Sequence, residues 1–560
     1  MTNRLITTNF FIQESPRLPA AALNSLSAKD RLEVIRNSRG KKKYEMLLDA
    51  KDGNWLTPML HPQEIYLTIS AIGPEYASEL LMMASTEQIV TLIDLDCWEK
   101  DHLDQNSTLQ WLSLLLEAGP EKAAKTITDM EPELAALILK SFLKVTAGPE
   151  VYNDEDADGN ANRLEGLYDI DYCNEEAAKV VGGILLAIQQ EDEKVWMHLL
   201  ELVRAELDSV LEEEVYQTRN IRLLDFGFSS PAEARRIYTR VDPDEFQPTR
   251  GKQFGLESDG IQSSLPLLRL AQPGGLLAEV LVGGISHSVA TELCMLANLK
   301  MSADLVDLSR EESVSAALSQ LYAELNLGLE KLANQDIDAA GGLLNDCYLQ
   351  EIFQVGHALI QRLAERARKL QSLPFAGLLD GPFRRFIESL QLNPPQLFRG
   401  IRVGDAQQAV EISTLKQLEE IEAILAQIEM QVQIAGTLLA LDLNRLEPLI
   451  EDSNIEEISD LTLSDLFLTA LANQLLGGDF TPHPLASADL ITLHRLVTQN
   501  NKLNPLLVEQ VRTQLDEQLP GASVFADYCL EIWQEEFCRL AEADIDPRYL
   551  GGLIVRLKGY

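Results

Sequence analysis

The chain has 560 residues, and its 87 acidic against 47 basic side chains leave a formal net charge of −40. A surface that acidic repels phosphate backbones, so counterion release, which drives most nucleic-acid association, works against binding, and DNA or RNA is not an expected partner. A 46% hydrophobic fraction excludes wholesale disorder, and the length calls for several packed units instead of one core.

The opening, MTNRLITTNFFIQESP, holds no apolar run of secretory length. No later segment reaches the roughly 20 apolar residues of a membrane helix, so a cytoplasmic protein without membrane insertion is expected. Cys97, Cys173, Cys294, Cys347, Cys529 and Cys538 form no CxxC pair, which argues against a zinc knuckle and for buried thiols. Residues 1–55 form an N-terminal segment with helical patterns near 29–38 and 44–50. Between those patterns Arg36, Arg39, Lys41, Lys42 and Lys43 gather around Gly40, and a short basic run of this kind reads as a solvated turn.

From residue 56 to 148 the chain carries a repeated helix-start signal. Pro62, Pro74 and Thr86 stand twelve residues apart, followed closely by Glu64, Glu75 and Glu87, and the spacing recurs between Pro120 and Pro132. Proline at a first helical position gives up no hydrogen bond it needed, and an acid in the first turn faces the positive end of the helix dipole. Apolar residues then recur at helical spacing: Ile65, Ile69 and Ile72; Ala77, Leu80, Leu81 and Ala84; Leu109, Leu112 and Leu116; Ala123, Ile127 and Met130; Leu134, Leu137, Ile138 and Phe142. Helices this short do not persist alone in water, so an all-α, superhelical array of short helices is expected.

An acidic loop follows over 149–176; from Glu150 to Glu176 there are ten acids and one base, Arg163. Within it Asp154, Asp156, Asp158, Gly159, Asn160 and Glu165 fit the twelve-position calcium loop. Calcium takes six to eight hard oxygens: three aspartates supply one each, Asn160 its carbonyl and Glu165 two. Pro149 where an entering helix belongs, the strand-like Leu167, Ile170 and Tyr172, and Ala161 at the eighth position fit a solvated acidic loop instead. The two readings are a calcium or magnesium site and a solvated turn.

Residues 177–248 read as a second helical array, with helices near 175–188 and 194–211 (Trp196, Leu199, Leu200 and Val203 inward) and with Pro231 and Pro243 again twelve apart. A middle domain, 249–400, and a C-terminal domain, 401–560, carry long patterns at 311–334, 343–373 and 414–441 that suit longer-helix bundles. Pro394 and Pro395 interrupt them, 460–540 reads as four more helices, and 551–555 is too short to assign.

No catalytic set assembles along the chain. Ser286, His287 and Ser288 lack the strand and glycine of a nucleophile elbow. Asp94, Asp96, Asp101, His102 and Asp104 around Trp98 read as helix caps and solvent-facing turns, and His357 as a core histidine. Arg219, Asn220, Arg222 and Asp225 are the most polar group inside a helical stretch; the expectation is an arginine–aspartate fork that ties two repeats, against an anion pocket.

The proline-and-glutamate helix starts with their leucine stripes resemble the cytosolic N-terminal domain of the magnesium transporter MgtE and the repeats of flagellar motor-switch proteins. The stretches from Leu92 to Trp98 with Trp111, from Arg219 to Leu223 with Asp225 to Phe228, and Asp546 to Tyr549 are similar to an uncharacterised bacterial family that spans most of the chain and implies no activity. The expected function is therefore a non-enzymatic scaffold that binds another protein. The alternative is a divalent-cation sensor acting through residues 154–165.

Overall fold

The computed structural model describes Phe11 and residues 15–147, 168–252, 265–402 and 404–557. The fold is all-α, and every sheet among the described residues has two strands. Pro62 opens the helix Pro62–Ile72, Pro120 opens Pro120–Asp129 and Pro132 opens Pro132–Lys140, with Glu64, Glu121 and Glu133 in the first turns. Thr86–Asp96 starts behind Ser85, whose hydroxyl accepts from the Gln88 amide while the Gln88 side chain accepts from the Ser85 amide. Pro74 differs: it opens only the 3₁₀ turn Pro74–Tyr76, and the α-helix begins later, as Ser78–Met83.

Each apolar stripe turns inward. Ile65, Ile69, Leu80, Leu81, Leu112, Ala123, Ile127, Leu134 and Ile138 are all buried. Gln105–Ala118 packs on Ser78–Met83 and Pro120–Asp129, and Glu175–Glu191 covers both Gln105–Ala118 and Pro120–Asp129. Burial of one face supplies what helices of this length lack by themselves.

The strand expected around Ile170 is Tyr168–Tyr172, paired antiparallel with Leu143–Ala147 so that Val145 faces Ile170. The helix expected over 194–211 is two helices, Glu193–Ala205 and Asp208–Leu224. Lys140 explains the break: its ammonium donates to the carbonyls of Val203 (3.1 Å) and Glu206 (2.5 Å) and pairs with Asp208 (3.0 Å). It thus satisfies carbonyls that the ended helix leaves open, a contact 60-odd positions away that no local pattern encodes. Pro231 opens the short helix Pro231–Ala234, whereas Pro243 sits in a turn, so the rhythm stops there.

The chain forms two compact units, Met1–Val241 with Glu245–Gln354 and Asp242–Asp244 with Val355–Tyr560. The long patterns appear as Glu311–Ala333, which Asn334 ends in the left-handed conformation, Leu349–Gln371, and Leu415–Gln433 behind a Thr414–Gln417 capping box. The four helices read over 460–540 are Leu463–Leu475, Leu490–Val497, Pro505–Gln518 and Ser523–Glu536. Val555–Arg556 forms a strand beside Leu485–Ala486. Among the described residues, no helix is long and apolar enough to cross a membrane.

One supersecondary piece occurs once in each unit. In the first, Thr86–Asp96 leads through the hairpin Trp98–Glu99/His102–Leu103 into Gln105–Ala118; 400 positions on, Leu490–Val497 leads through Thr498–Gln499/Lys502–Leu503 into Pro505–Gln518. Both hairpins are closed by an amide-to-carbonyl bond, Asp104 to Cys97 (2.7 Å) and Asn504 to Val497 (2.8 Å), and both following helices are capped by that same Asp104 or Asn504.

Gly328, in the C-terminal half of Glu311–Ala333, lets that helix touch its neighbour: a Cβ there would stand 2.0 Å from the Ile352 carbonyl oxygen. Helix propensity alone would make Gly328→Ala a gain of about 1 kcal/mol. The close approach makes it a loss, expected at roughly 2–3 kcal/mol. Urea unfolding checks this, and a variant as stable as the parent contradicts the contact.

Candidate functional site

A buried polar group joins Thr86–Asp96 to Asp208–Leu224. Asp94 is fully buried, and Arg222 grips it as a fork, Nε to Oδ2 at 2.8 Å and Nη2 to Oδ1 at 2.9 Å, with Nη1 on Glu131 at 2.6 Å. Arg219 donates to the Asp94 carbonyl at 2.9 Å, and its guanidinium lies 5.2 Å over the Trp98 ring. Burial pushes the Asp94 carboxyl above its usual range, and the two Arg222 bonds pull against that shift. Two residues further, Asp96 accepts from the Tyr66 hydroxyl and from Trp111 Nε1 at 2.7 Å. Burial and the Asp96 hydrogen bond raise the Tyr66 hydroxyl's pKa.

This arrangement corrects one expectation and sharpens another. Asp104 does cap a helix, and Asp101 and His102 are exposed, but Asp94 and Asp96 are neither caps nor solvent-facing. The arginine–aspartate fork exists, and its acid is Asp94, 128 positions away, whereas Asp225 is exposed. Each carboxylate oxygen of Asp94 is met by Arg222 and its carbonyl by Arg219, so the group acts as a tie. Ser286 is the cap of His287–Ala303 and His287 points to solvent, while His357 is half-buried. The proposed metal ligands Asp154, Asp156, Asp158, Asn160 and Glu165 lie outside the described residues, among which no group of three His, Cys, Asp or Glu side chains stands ready for a metal.

An open concavity among the described residues involves the basic run around Gly40. The run is not the solvated turn expected of it: Lys43 is buried against Glu64 at 2.7 Å, Arg36 and Arg39 are half-buried, and only Lys41 and Lys42 stand in solvent. The reason is the helix Gly40–Asp49, whose pitch turns Lys43 toward Pro62–Ile72. Arg36, Arg39 and the Lys43–Glu64 pair line a cleft of about 510 Å³, open mouth included, together with Arg269 and Glu311. Arg269 went unread in the sequence, though a single base set in Leu267-Leu268-Arg269-Leu270 is the mark of a charge carried into an apolar surface.

A second buried acid lies in the other unit. Asp380, which precedes Gly381–Ser389, accepts from the Ser464 hydroxyl and faces Asp465, Tyr528 and Cys529. Burial first, then the neighbouring Asp465 charge, raises its carboxyl from 3.8 to about 6. A raised folded-state pKa means the folded chain holds the proton more tightly than the unfolded chain. Stability from this group is therefore full below pH 3.8, falls through the window up to about 6 and is lost above it, a cost of about 3 kcal/mol.

Two stability measurements follow. Asp380→Asn gains on the parent above pH 6 and loses that advantage as urea melts are taken down through the window; a pH-independent difference rejects the buried-charge account. Asp94→Ala takes the fork from Arg222, which keeps its Glu131 bond, and costs roughly 3 kcal/mol, while Asp94→Leu with Arg222→Met recovers most of it; equal losses for the single and double variants would contradict the tie.

No curated protein and no solved structure matches the chain. Over residues 20–556 it matches the family of unknown function DUF6178, and the chain belongs to that family.

Proposed function

We propose that the protein is a non-enzymatic helical scaffold of the cytoplasm whose docking face is the outer side of Asp208–Leu224. The observation that carries this reading is the way the helix distributes its side chains. Leu211, Val215 and Leu223 are buried, and both of its arginines, Arg219 and Arg222, turn inward onto Asp94. The other side presents Leu207, Val210, Ile221 and Leu224, each more than half exposed, with Glu213, Glu214 and Asp225 exposed beside them. At helical spacing the four share one face, Leu207 and Val210 at its start and Ile221 and Leu224 at its end, with the exposed Glu214 and Gln217 between them. Two apolar pairs with acids between and beside them, on a helix whose arginines both turn inward, fit an amphipathic helix of a partner protein that sets Lys or Arg beside Leu or Ile.

The reading also includes the kinship of residues 56–148 with the cytosolic MgtE domain and motor-switch repeats, supported by helix starts at Pro62, Pro120 and Pro132 followed by buried stripes. Six free thiols suit a reducing compartment.

The test compares capture from the native cell by the parent, by Ile221→Glu with Leu224→Glu, and by Leu506→Glu, an equally exposed position on Pro505–Gln518. The captured partner's basic amphipathic segment, made as a peptide, binds the parent and the Leu506 variant alike and binds the Ile221/Leu224 variant at least about tenfold more weakly. Equal binding to all three, or a partner without such a segment, overturns the proposal.

A further inference from the structure

We infer that the second unit carries a proton-operated switch, independent of the docking face: Asp380 and Asp465 hold one proton between them through two hydroxyls, and its release moves Asp380 from Ser464 onto the start of its own helix. The contacts run in a row from one acid to the other. Asp380 Oδ1 is hydrogen-bonded to the Ser464 hydroxyl, which lies 2.9 Å from the Thr462 hydroxyl, which in turn lies 2.7 Å from Asp465 Oδ2. Each of these three oxygen-to-oxygen contacts needs a hydrogen between its atoms, and the two hydroxyls own only two. With both acids ionised, each hydroxyl turns its hydrogen to its own carboxylate, and the Ser464–Thr462 contact is left lone pair to lone pair. One carboxyl hydrogen completes the row.

The two acids do not hold that hydrogen equally. Asp465 Oδ2 also accepts from the Thr462 amide at 2.9 Å, and the Gly552 amide bonds the same side chain, donors that favour its charged form. Asp380 draws on the Ser464 amide, but it is buried, and its Oδ2 has no hydrogen-bond partner among the described residues. The titratable groups facing it are Asp465 from Leu463–Leu475 and Tyr528 and Cys529 from Ser523–Glu536, none of them a base. The proton therefore rests on Asp380. Burial raises both carboxyls above their usual range, as a pair that shares one proton requires.

The helix that follows supplies the second seat. Asp380 stands at the N-cap of Gly381–Ser389, where an ionised aspartate ordinarily accepts from the first amides and faces the positive end of the helix dipole, yet its side chain makes no cap bond. Pro382 has no N–H, so the donor for such a cap is the Phe383 amide. A neutral Asp380 gains by staying on Ser464; a charged one gains by turning to Phe383. In turning, it gives up the contact that ties the start of Gly381–Ser389 to the start of Leu463–Leu475. Because the folded-state value is raised to about 6, the tie is held below that pH and released above it.

Residue-resolved hydrogen exchange on the full chain, corrected for the intrinsic effect of pH on exchange, reads both seats at about pH 5 and about pH 7.5. On going to the higher pH the Ser464 amide is expected to lose at least about tenfold in protection while the Phe383 amide gains. Asp380→Asn, neutral throughout, makes both amides independent of pH. Ser464→Ala, which cuts the row in the middle, gives the Phe383 amide at about pH 5 the protection the parent reaches at about pH 7.5. Unchanged protection of the parent's Ser464 amide overturns the inference, as does a loss shared by both amides, a pH dependence that survives in Asp380→Asn, or a Phe383 amide indifferent to Ser464→Ala. None of these outcomes touches the docking face at Ile221.

Discussion

A carboxylate taken fully out of water is tolerable only where its oxygens are all met, and Asp94 meets that condition by drawing in two arginines from a helix that begins more than a hundred residues later. The fork of Arg222 and the Arg219 bond to the Asp94 carbonyl fix both the rotation and the register of Asp208–Leu224 against Thr86–Asp96. A helix carrying only a greasy stripe, Leu211, Val215 and Leu223, could slide by a turn; one whose arginines must reach a single buried acid cannot. What the helix shows to solvent is then decided by what the acid pulls inside.

The twin of this element shows that the architecture does not require the acid. In the second unit the same helix–hairpin–helix piece carries His494, Leu496 and Thr498 where the first carries Asp94, Asp96 and Trp98. His494 packs edge-on to Phe537 at 5.2 Å and takes no part in an arginine fork. The hairpin is held in both by its closing backbone bond and its helix cap. The polar group in the first unit is therefore an addition to a piece that already folds, which points to specificity of helix orientation as its use.

Helix starts were legible because their causes are local. Proline at the first position, an acid in the first turn and a capping box are written within four residues, so Pro62, Thr86, Pro120 and Pro132 were readable directly. Helix ends and polar partners were not, since their causes are remote. The stop at Ala205 depends on Lys140, the burial of Asp94 on Arg222, and the inward turn of Lys43 on Glu64. An aspartate that will cap a helix and one that will be sealed in a core look alike until the arginine is found. The same holds for the candidate site: Arg36 and Arg39 were visible as a basic run, but the cleft exists only once Arg269 arrives beside them.

The fate of the bases links these observations. With 47 bases against 87 acids, a basic side chain placed on the open surface has acids to meet almost anywhere, and many do so in exposed pairs that contribute little, such as Arg204 with Glu201 or Arg512 with Asp527. The bases that are withdrawn matter more, because each withdrawal shapes two places at once. Taking Arg219 and Arg222 inward leaves Asp208–Leu224 with apolar and acidic residues on its outer face. Bringing Arg39 and Arg269 together sets two guanidinium groups in one cleft, near enough to repel. In a chain this acidic, the places of the sequestered cations are set by their buried contacts and not by the net charge.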